Sequence, residues 1–170
     1  CGDADGAVTG NTRRFGASLE KIKQVVEART GEIMFGLNLV VHKGKTIFVG
    51  DTSVHEYPNA KELSEIATSS ARVVRLFGFD PKVAFVSHST FGQPLTSRTK
   101  HIKDAVEILK EKNVDFEFDG DMQPDVALNK EYQSLYPFSK IVGNANILIM
   151  PGQHSAAISY KMMKTLGDTK

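Results

Sequence analysis

The chain has 170 residues, 41% of them hydrophobic, so it is long enough to form one compact domain with its own core. Its 21 basic and 20 acidic residues leave a formal charge of +1 without a concentrated cationic stretch, which argues against a nucleic-acid partner. No apolar stretch approaches the roughly 18 residues that span a bilayer, and the sequence lacks a signal-peptide pattern. We therefore expect a cytoplasmic protein with no membrane partner.

Cysteine and histidine give no support for a disulfide or a metal site. Cys1 is the only cysteine, so neither an intramolecular disulfide nor a four-cysteine zinc site can form within one chain. No two histidines have the four-residue spacing that places two ligands on one helix face; they are His42, His55, His88, His101 and His154. Because the sequence starts with Cys1 and not with methionine, we expect a processed chain or a fragment of a longer one.

The first predicted elements in chain order are a short helix and a hairpin. From Ser18 to Arg29 apolar residues recur every three or four positions, and Gly31 follows, which predicts an amphipathic helix capped by Ser18. The stretch "IMFGLNLVVHKGKTIFVGD" then holds two runs rich in β-branched and aromatic residues, separated by residues 42–45 with their glycine. These runs predict two antiparallel strands.

A helix with clear start and stop signals follows the hairpin. Asn59 has Glu62 three residues further on, the pattern of a capping box, and Gly78 lies just past the last apolar position. Beyond it, apolar runs and helical spacing predict a strand at 83–87, a helix from about Ser97 to Lys112, a strand at 115–118, a short helix near Asp125 to Asn129, a strand at 146–150 and a helix at 154–166. Segment 131–145 is predicted to be irregular, and its aromatic residues to pack a loop.

Strands that alternate with helices predict an α/β domain. The expected fold is a three-layer arrangement in which helices flank a mainly parallel sheet that also carries the antiparallel hairpin. Without repeats or linker-like stretches, residues 1–170 are predicted to form a single domain or subdomain.

The loops that follow the parallel strands are the candidate ligand sites, because ligands of such sheets bind outside the carboxyl ends of the strands. In "FVSHSTFGQPLTSRT", Ser89 and Thr90 supply hydroxyls and Gly92 permits close backbone approach, with Arg98 and Lys100 nearby. These residues suit a phosphate. A polar loop that ends in a helix cap is the alternative, and composition alone favours it.

Two further loops have the same layout. "FEFDGDMQPDVA" is acidic and lacks the calcium-loop spacing, so a turn followed by a helix cap at Asp125 is expected there. "MPGQHSAAISYKMMK" predicts a helix capped by Ser155 that carries Lys161 and Lys164, either as ligand contacts or as surface lysines. No G-x-S-x-G elbow, Walker loop or G-x-G-x-x-G fingerprint is present.

Five segments together carry a family resemblance. They are "DADGAVTG" (3–10), "FVGDTSVHEYPNAKELSEIA" (48–67), "GFDPKVAFVSHSTFG" (78–92), "FEFDGDMQPDVALN" (116–129) and "NANILIMPGQHSAAISYKMMKTLGD" (144–168). In this order they resemble the phosphate acetyl/butyryltransferase family over nearly the whole chain. "STFGQP", "LYPF" and "HSAAIS" are most similar to the phosphotransacetylase-like C-terminal domain of bacterial NADP-dependent malic enzymes.

The resemblance implies a fold and a set of ligand-facing residues. It predicts the second subdomain of the phosphotransacetylase fold, with the first subdomain and the family's Ser-Arg and Asp catalytic group outside this chain, so no catalytic residue is assigned. The positions that match ligand-facing family positions, for an acetyl-CoA or phosphate cleft, are Thr9, Gly10, Ser89, Thr90, Gly92 and Lys161. Thr165, Phe91 and Gln93 depart from the transferase pattern and speak against transferase activity.

The function implied is that of a regulatory and oligomerisation domain. The parent enzyme would convert malate to pyruvate by oxidative decarboxylation, with its NADP and divalent metal bound outside this chain. Here the resemblance implies no cofactor, acetyl-CoA as an effector, and a homodimer formed through this domain. The alternatives are a subdomain of a true phosphate acetyltransferase and a dimerisation domain without a ligand.

Overall fold

The structure is a computed structural model that describes residues 6–10, 12–28, 30–51 and 53–167, without the side chain of Arg98. The chain divides into two compact units, Cys1–Glu32 and Ile33–Lys170. Among the described residues, no helix is long and apolar enough to cross a membrane.

The first unit contains one helix, α1, at Phe15–Lys23. The predicted helix at 18–29 with a Ser18 cap is wrong at both ends, since Arg14 precedes the first turn in an extended conformation and makes no side-chain cap. At the other end, the amides of Val25 and Val26 both donate to the carbonyl of Ile22, at 2.9 and 2.8 Å. Two adjacent β-branched residues disfavour further helix, which explains the early stop.

The second unit is built on a five-stranded sheet with the strand order β1-β2-β5-β3-β4. The strands are β1 Leu37–His42, β2 Lys45–Gly50, β3 Lys82–Val86, β4 Glu117–Met122 and β5 Ile147–Ile149. β1 and β2 pair antiparallel, and all other pairs are parallel. Lys43 and Gly44 make the predicted hairpin turn with positive φ angles of 48° and 76°, the geometry of a two-residue hairpin loop.

Among the described residues of this unit, five helices accompany the sheet: α2 Ala60–Leu76, α3 Ser97–Glu111, α4 Pro124–Leu128, α5 Lys130–Gln133 and α6 Gln153–Leu166. One buried cluster unites α2 and α3 with one face of the sheet, through residues that include Ile66, Leu109, Phe85 and Ile147. A second cluster unites α4, α6 and segment 141–145 with the other face. The predicted three-layer α/β fold is confirmed.

Local capping signals explain where the two long helices begin. The side chain of Asn59 accepts a hydrogen bond from the amide of Glu62 at 3.0 Å, and the Glu62 carboxylate accepts one from the amide of Asn59 at 2.8 Å. This is the predicted capping box. Thr96 and Thr99 form a second box at the start of α3. By contrast, the predicted caps Asp125 and Ser155 are wrong, because α4 follows Gln123 and α6 follows Gly152.

Strand β4 differs most from its prediction. It was expected at 115–118, followed by an acidic turn, but it begins at Glu117 and includes Asp119 and Asp121. Both carboxylates are buried, and each has hydrogen-bond donors from the protein. Asp119 accepts from the amides of Gly120 at 2.9 Å and Lys140 at 2.7 Å, and Asp121 accepts from the hydroxyl of Ser89 and the amide of Gly92. Composition wrongly predicted a loop here, because aspartates are rarely buried unless hydrogen-bond donors surround them, and the sequence does not reveal those donors.

Gly120 generates a stability prediction. Its φ is +152°, and an added Cβ would lie 2.7 Å from the Cβ of Phe85 on the neighbouring strand. We expect Gly120→Ala to lower the free energy of unfolding by about 3 kcal/mol, from backbone strain and overpacking together. Chemical denaturation measures this change.

Gly143 offers the matched control for that substitution. Its φ is +83°, but an added Cβ would meet no atom within 4 Å. Gly143→Ala therefore tests backbone strain without a steric clash, and we expect a loss of about 1 kcal/mol. Equal losses for the two variants would contradict the proposed close packing of β4 against β3.

Candidate functional site

The four parallel strands end at one edge of the sheet, and buried polar residues lie there. Asp51 follows β2, Ser87 and Ser89 follow β3, and Asp121 lies at the end of β4. All four are less than 8% exposed. This edge is where parallel α/β sheets bind ligands, so we take it as the candidate site.

Asp121 organises the loop after β3. The Ser89 hydroxyl donates a hydrogen bond to one carboxylate oxygen of Asp121, and the amide of Gly92 donates to the other at 2.8 Å. The hydroxyls of Ser87 and Ser89 are 3.2 Å apart. The amide of Phe91 donates to the main-chain carbonyl of Asp121 at 2.6 Å. One residue of β4 thus fixes the conformation of loop 87–92.

The structure places the predicted site residues of this loop together but in different environments. Ser89 is fully buried, and its hydroxyl is committed to Asp121. Thr90 is half-buried, and its hydroxyl oxygen accepts from the amide of Gln123 at 3.3 Å. Gly92 has a φ of +81° and lines a cavity of about 260 Å³. Of the two hydroxyls, only that of Thr90 lies on a partly exposed residue.

Aromatic residues cover the far side of the same loop. The ring of Phe91 lies 5.4 Å from that of Tyr136 and 4.8 Å from that of Phe138. The prediction that aromatic residues of segment 131–145 pack a loop is confirmed for Tyr136, which is partly buried, whereas Phe138 contacts Phe91 at the surface and Tyr132 and Leu135 are exposed. Phe91 therefore has a packing role.

The cavity beside Gly92 carries charges of both signs. Three lysines line it, together with the two buried aspartates of β4 and Glu107; the lysines are Lys103, Lys110 and Lys140. The Lys110 ammonium lies 2.7 Å from the Glu107 carboxylate, and this hydrogen bond holds the pKa of Glu107 below its usual range. The charges balance, so the cavity has no clear preference for an anion.

Asp51 forms the second polar centre of the edge. Its Oδ1 accepts from the amides of Gly36 and Ser53, both at 2.8 Å, and of Val54 at 3.2 Å. Its Oδ2 accepts from the amide of His55 at 2.9 Å and lies 2.6 Å from the Nδ1 of that histidine. The carboxylate is buried, and the imidazole is 19% exposed. Sequence reasoning missed this pair, although an aspartate directly after a strand with a histidine four residues on is a readable signal.

The loop after β2 is bound tightly to the first turn of α6. The amide of Gln153 donates to the carbonyl of His55 at 3.1 Å, and His154 Nε2 lies 3.5 Å from the Glu56 carboxylate. An added Cβ on Gly152 would lie 2.4 Å from the carbonyl oxygen of Glu56. The loop after β2 therefore fixes the start of α6. The two segments meet because α6 follows β5, and β5 pairs with β2 in the sheet.

The remaining predicted site residues lie on α6 and in the first unit. Lys161 is exposed in the third turn of α6, and none of the described residues forms an ion pair with it. Thr9 and Gly10 are exposed residues of the first unit, and Gly10 has a φ of +133°. Asp5, from the same family turn, lies outside the described residues.

An apolar cavity of about 240 Å³ opens between the start of α2 and the second turn of α3. It is lined by Tyr57, Pro58, Asn59, Leu63, His101, Ile102 and Pro151. Within residues 6–10, 12–28, 30–51 and 53–167, no three His, Cys, Asp or Glu side chains are placed to hold a metal ion.

Ser89 supplies a prediction for this edge. Ser89→Ala removes one donor from the buried Asp121 carboxylate, and we expect a loss of about 2 kcal/mol in the free energy of unfolding. The control is Ser134→Ala, which removes an exposed hydroxyl that bonds the carbonyl of Glu131 at 2.6 Å. A loss at Ser89 no larger than at Ser134 would show that Asp121 does not depend on this hydroxyl.

The chain resembles two groups of curated proteins. It is 43% identical to the NADP-dependent malic enzyme of Rhizobium meliloti over 98% of its length, but spans only 22% of that protein. It is 30% identical to the phosphate acetyltransferase of Bacillus subtilis over 98% of its length and spans 52% of that protein. The chain therefore corresponds to about a fifth of the malic enzyme and half of the transferase.

A solved structure and a family description agree with the sequence relatives. The phosphotransacetylase of Streptococcus pyogenes superposes with a TM-score of 0.85 at 27% identity, covering 95% of this chain and 50% of that one. The description of phosphate acetyl/butaryl transferases matches residues 1–170. The resemblance seen in the sequence is thus confirmed: the chain belongs to the phosphate acetyl/butaryl transferase family.

Proposed function

We propose that this chain is the phosphotransacetylase-like regulatory and oligomerisation domain of an NADP-dependent malic enzyme, and that it senses acetyl-CoA. The observation that carries the proposal is the 43% identity to a malic enzyme over nearly the whole chain, combined with the small share of that enzyme which the chain spans. The parent reaction, oxidative decarboxylation of malate to pyruvate, would take place in a different part of the enzyme, with its NADP and divalent metal.

The geometry of the loop after β3 fits a binding role better than a catalytic one. The hydroxyl of Ser89 is buried and already donated to Asp121. Thr90 and the exposed Lys161 remain the side chains of the second unit that can meet a ligand. Gly92, whose amide already donates to Asp121, leaves room for a ligand to approach the backbone closely. A hydroxyl and an ammonium group can bind phosphate or acyl-CoA without supplying a nucleophile or a proton acceptor.

Regulation of this kind requires only that acetyl-CoA bind one state of the assembly more tightly than another. Loop 87–92 and α6 leave the edge from neighbouring strands, β3 and β5. A ligand that contacts both loop 87–92 and α6 would therefore change the position of one relative to the other. No chemistry on the ligand is needed for this effect.

A second candidate is a subdomain of a true phosphate acetyltransferase, which transfers the acetyl group between CoA and phosphate. The similarity to the Bacillus subtilis transferase favours it. A third is a dimerisation domain without a ligand, which the committed hydroxyl of Ser89 favours. Titration with ligand distinguishes all three.

Isothermal titration of acetyl-CoA into the full-length protein tests the proposal, with CoA and acetyl phosphate as comparisons. We expect saturable binding of acetyl-CoA. Lys161→Ala should weaken it about tenfold, because one charge-assisted hydrogen bond to a phosphate is lost. The matched control is Lys164→Ala, which removes an exposed lysine three residues further along α6 and should leave affinity unchanged.

Each other outcome of this titration selects an alternative. Turnover of acetyl phosphate with CoA would favour the transferase. If none of the three compounds binds, the remaining interpretation is a dimerisation domain without a ligand. Equal weakening by the two lysine variants would remove Lys161 from the proposed site and indicate a general effect of charge.

The proposed oligomerisation has its own test. We expect light scattering of this chain to give at least twice its mass of 18.7 kDa at concentrations well above micromolar. A monomeric mass that persists at high concentration would contradict the assignment of dimerisation to this domain.

A further inference from the structure

The paired side chains of Asp51 and His55 are unused by the ligand contacts proposed above. Five donors surround the Asp51 carboxylate: four main-chain amides and the Nδ1 of His55. A buried carboxylate that accepts so many hydrogen bonds is fixed in position before it meets the histidine. Asp51 therefore orients the imidazole and does not itself reach a ligand.

This contact determines which ring nitrogen is available. A carboxylate can only accept, so Nδ1 carries the hydrogen, and Nε2 is left as the free position. Nε2 has no hydrogen-bond partner within the part of the chain that the structure describes. The ring is one-fifth exposed and belongs to the loop after β2, at the edge where ligands of parallel sheets bind. An oriented imidazole with one free nitrogen can bind an anion or accept a proton.

We propose that His55 contacts a phosphate group of the bound ligand through Nε2 and takes up a proton as that ligand binds, with Asp51 as its positioning residue. The proposal deepens the acetyl-CoA site and rests on that proposed function, since acetyl-CoA supplies phosphate groups. The protonated ring would lie between two anions, the Asp51 carboxylate and the ligand phosphate. Because a phosphate anion beside Nε2 would favour the imidazolium in the bound state, ligand binding and proton uptake are linked.

Other titratable groups lie near the histidine and have to be separated from it in a test. On its own loop these are Glu56 and Tyr57, and on α6 His154, whose Nε2 lies 3.5 Å from the Glu56 carboxylate. His154 already faces a carboxylate and lies 69% exposed. Substitution of His55 alone is therefore needed to assign the proton.

Two substitutions separate the orienting contact from the free nitrogen. His55→Asn places an amide nitrogen near the position of Nδ1, so it retains a donor to Asp51 but removes Nε2. His55→Gln places an amide nitrogen near Nε2, so it retains a hydrogen bond to the ligand but cannot titrate. A histidine that only fastens the loop would tolerate the first better than the second. A histidine that binds phosphate shows the opposite order.

The experiment is calorimetry of the full-length protein with acetyl-CoA and, separately, with inorganic phosphate. Each titration is run in two buffers of different ionisation enthalpy, so that the buffer dependence of the heat counts the protons taken up. We expect proton uptake for the wild type near neutral pH, where histidine ordinarily changes charge. His55→Asn should lose the uptake and bind about tenfold more weakly, and His55→Gln should lose the uptake with a smaller loss of affinity. His42→Asn, at the opposite end of β2's partner strand, is the control and should behave as the wild type.

The outcomes distinguish this inference from the function on which it rests. If acetyl-CoA binds and both His55 variants match the wild type in affinity and proton count, this inference fails and the proposed function stands. If acetyl-CoA does not bind but phosphate binds with uptake that depends on His55, the inference stands and the proposed function fails. If neither compound binds, both fail. Near-ultraviolet circular dichroism checks the fold of each variant, and His55→Gln decides the question should His55→Asn not fold.

Discussion

Two buried carboxylates at one edge of the sheet, Asp51 and Asp121, hold the loops from which a ligand site would be built. Each accepts main-chain amides from segments far apart in sequence: Asp51 from Gly36 and the loop after β2, Asp121 from Gly92 in the loop after β3. A main-chain amide gives a loop a fixed path whatever its side chains. The ends of the strands thus determine the shape of the site through carboxylates that bind the loops themselves.

This arrangement explains what the sequence could and could not show about the fold. The helical spacing of apolar residues and the capping box at Asn59 involve residues no more than four positions apart. The α2 helix and the layered fold could therefore be predicted from the sequence. Strand β4 was not, because the burial of Asp119 depends on the amide of Lys140, far along the chain. The cap at Ser155 failed for a similar reason: the first turn of α6 is held by the carbonyl of His55 and not by its own side chains.

The candidate site was predictable in position but not in chemistry. Strand order and loop composition locate a polar edge, and the family resemblance selects Ser89 and Thr90 within it. Neither could show that the Ser89 hydroxyl is consumed by Asp121. Nor did composition separate His55 from the four other histidines, since its partner becomes evident only when the loop folds back on Asp51.

The relatives of this chain include both a malic enzyme and a phosphate acetyltransferase, and catalysis and the proposed regulation would make different demands on the site. What differs is the demand on precision. A transferase has to hold two reacting groups in line, whereas a sensor needs only a difference in affinity between two states. Loops whose backbone is fixed by the buried carboxylates of Asp51 and Asp121 could provide such a difference in affinity with few ligand-binding side chains.

The close approach at Gly152 has a mechanical consequence. The backbone at Gly152 lies so close to the carbonyl of Glu56 that the first turn of α6 has little room to move toward the loop after β2. A helix of 14 residues is about 21 Å long. If the first turn stays in place, a tilt of about 5° would carry the far end of the helix through about 2 Å, within the range of helix displacements that accompany switching in allosteric proteins. Small changes at the edge of the sheet would thereby be enlarged at the last turn of α6, where Leu166 is exposed.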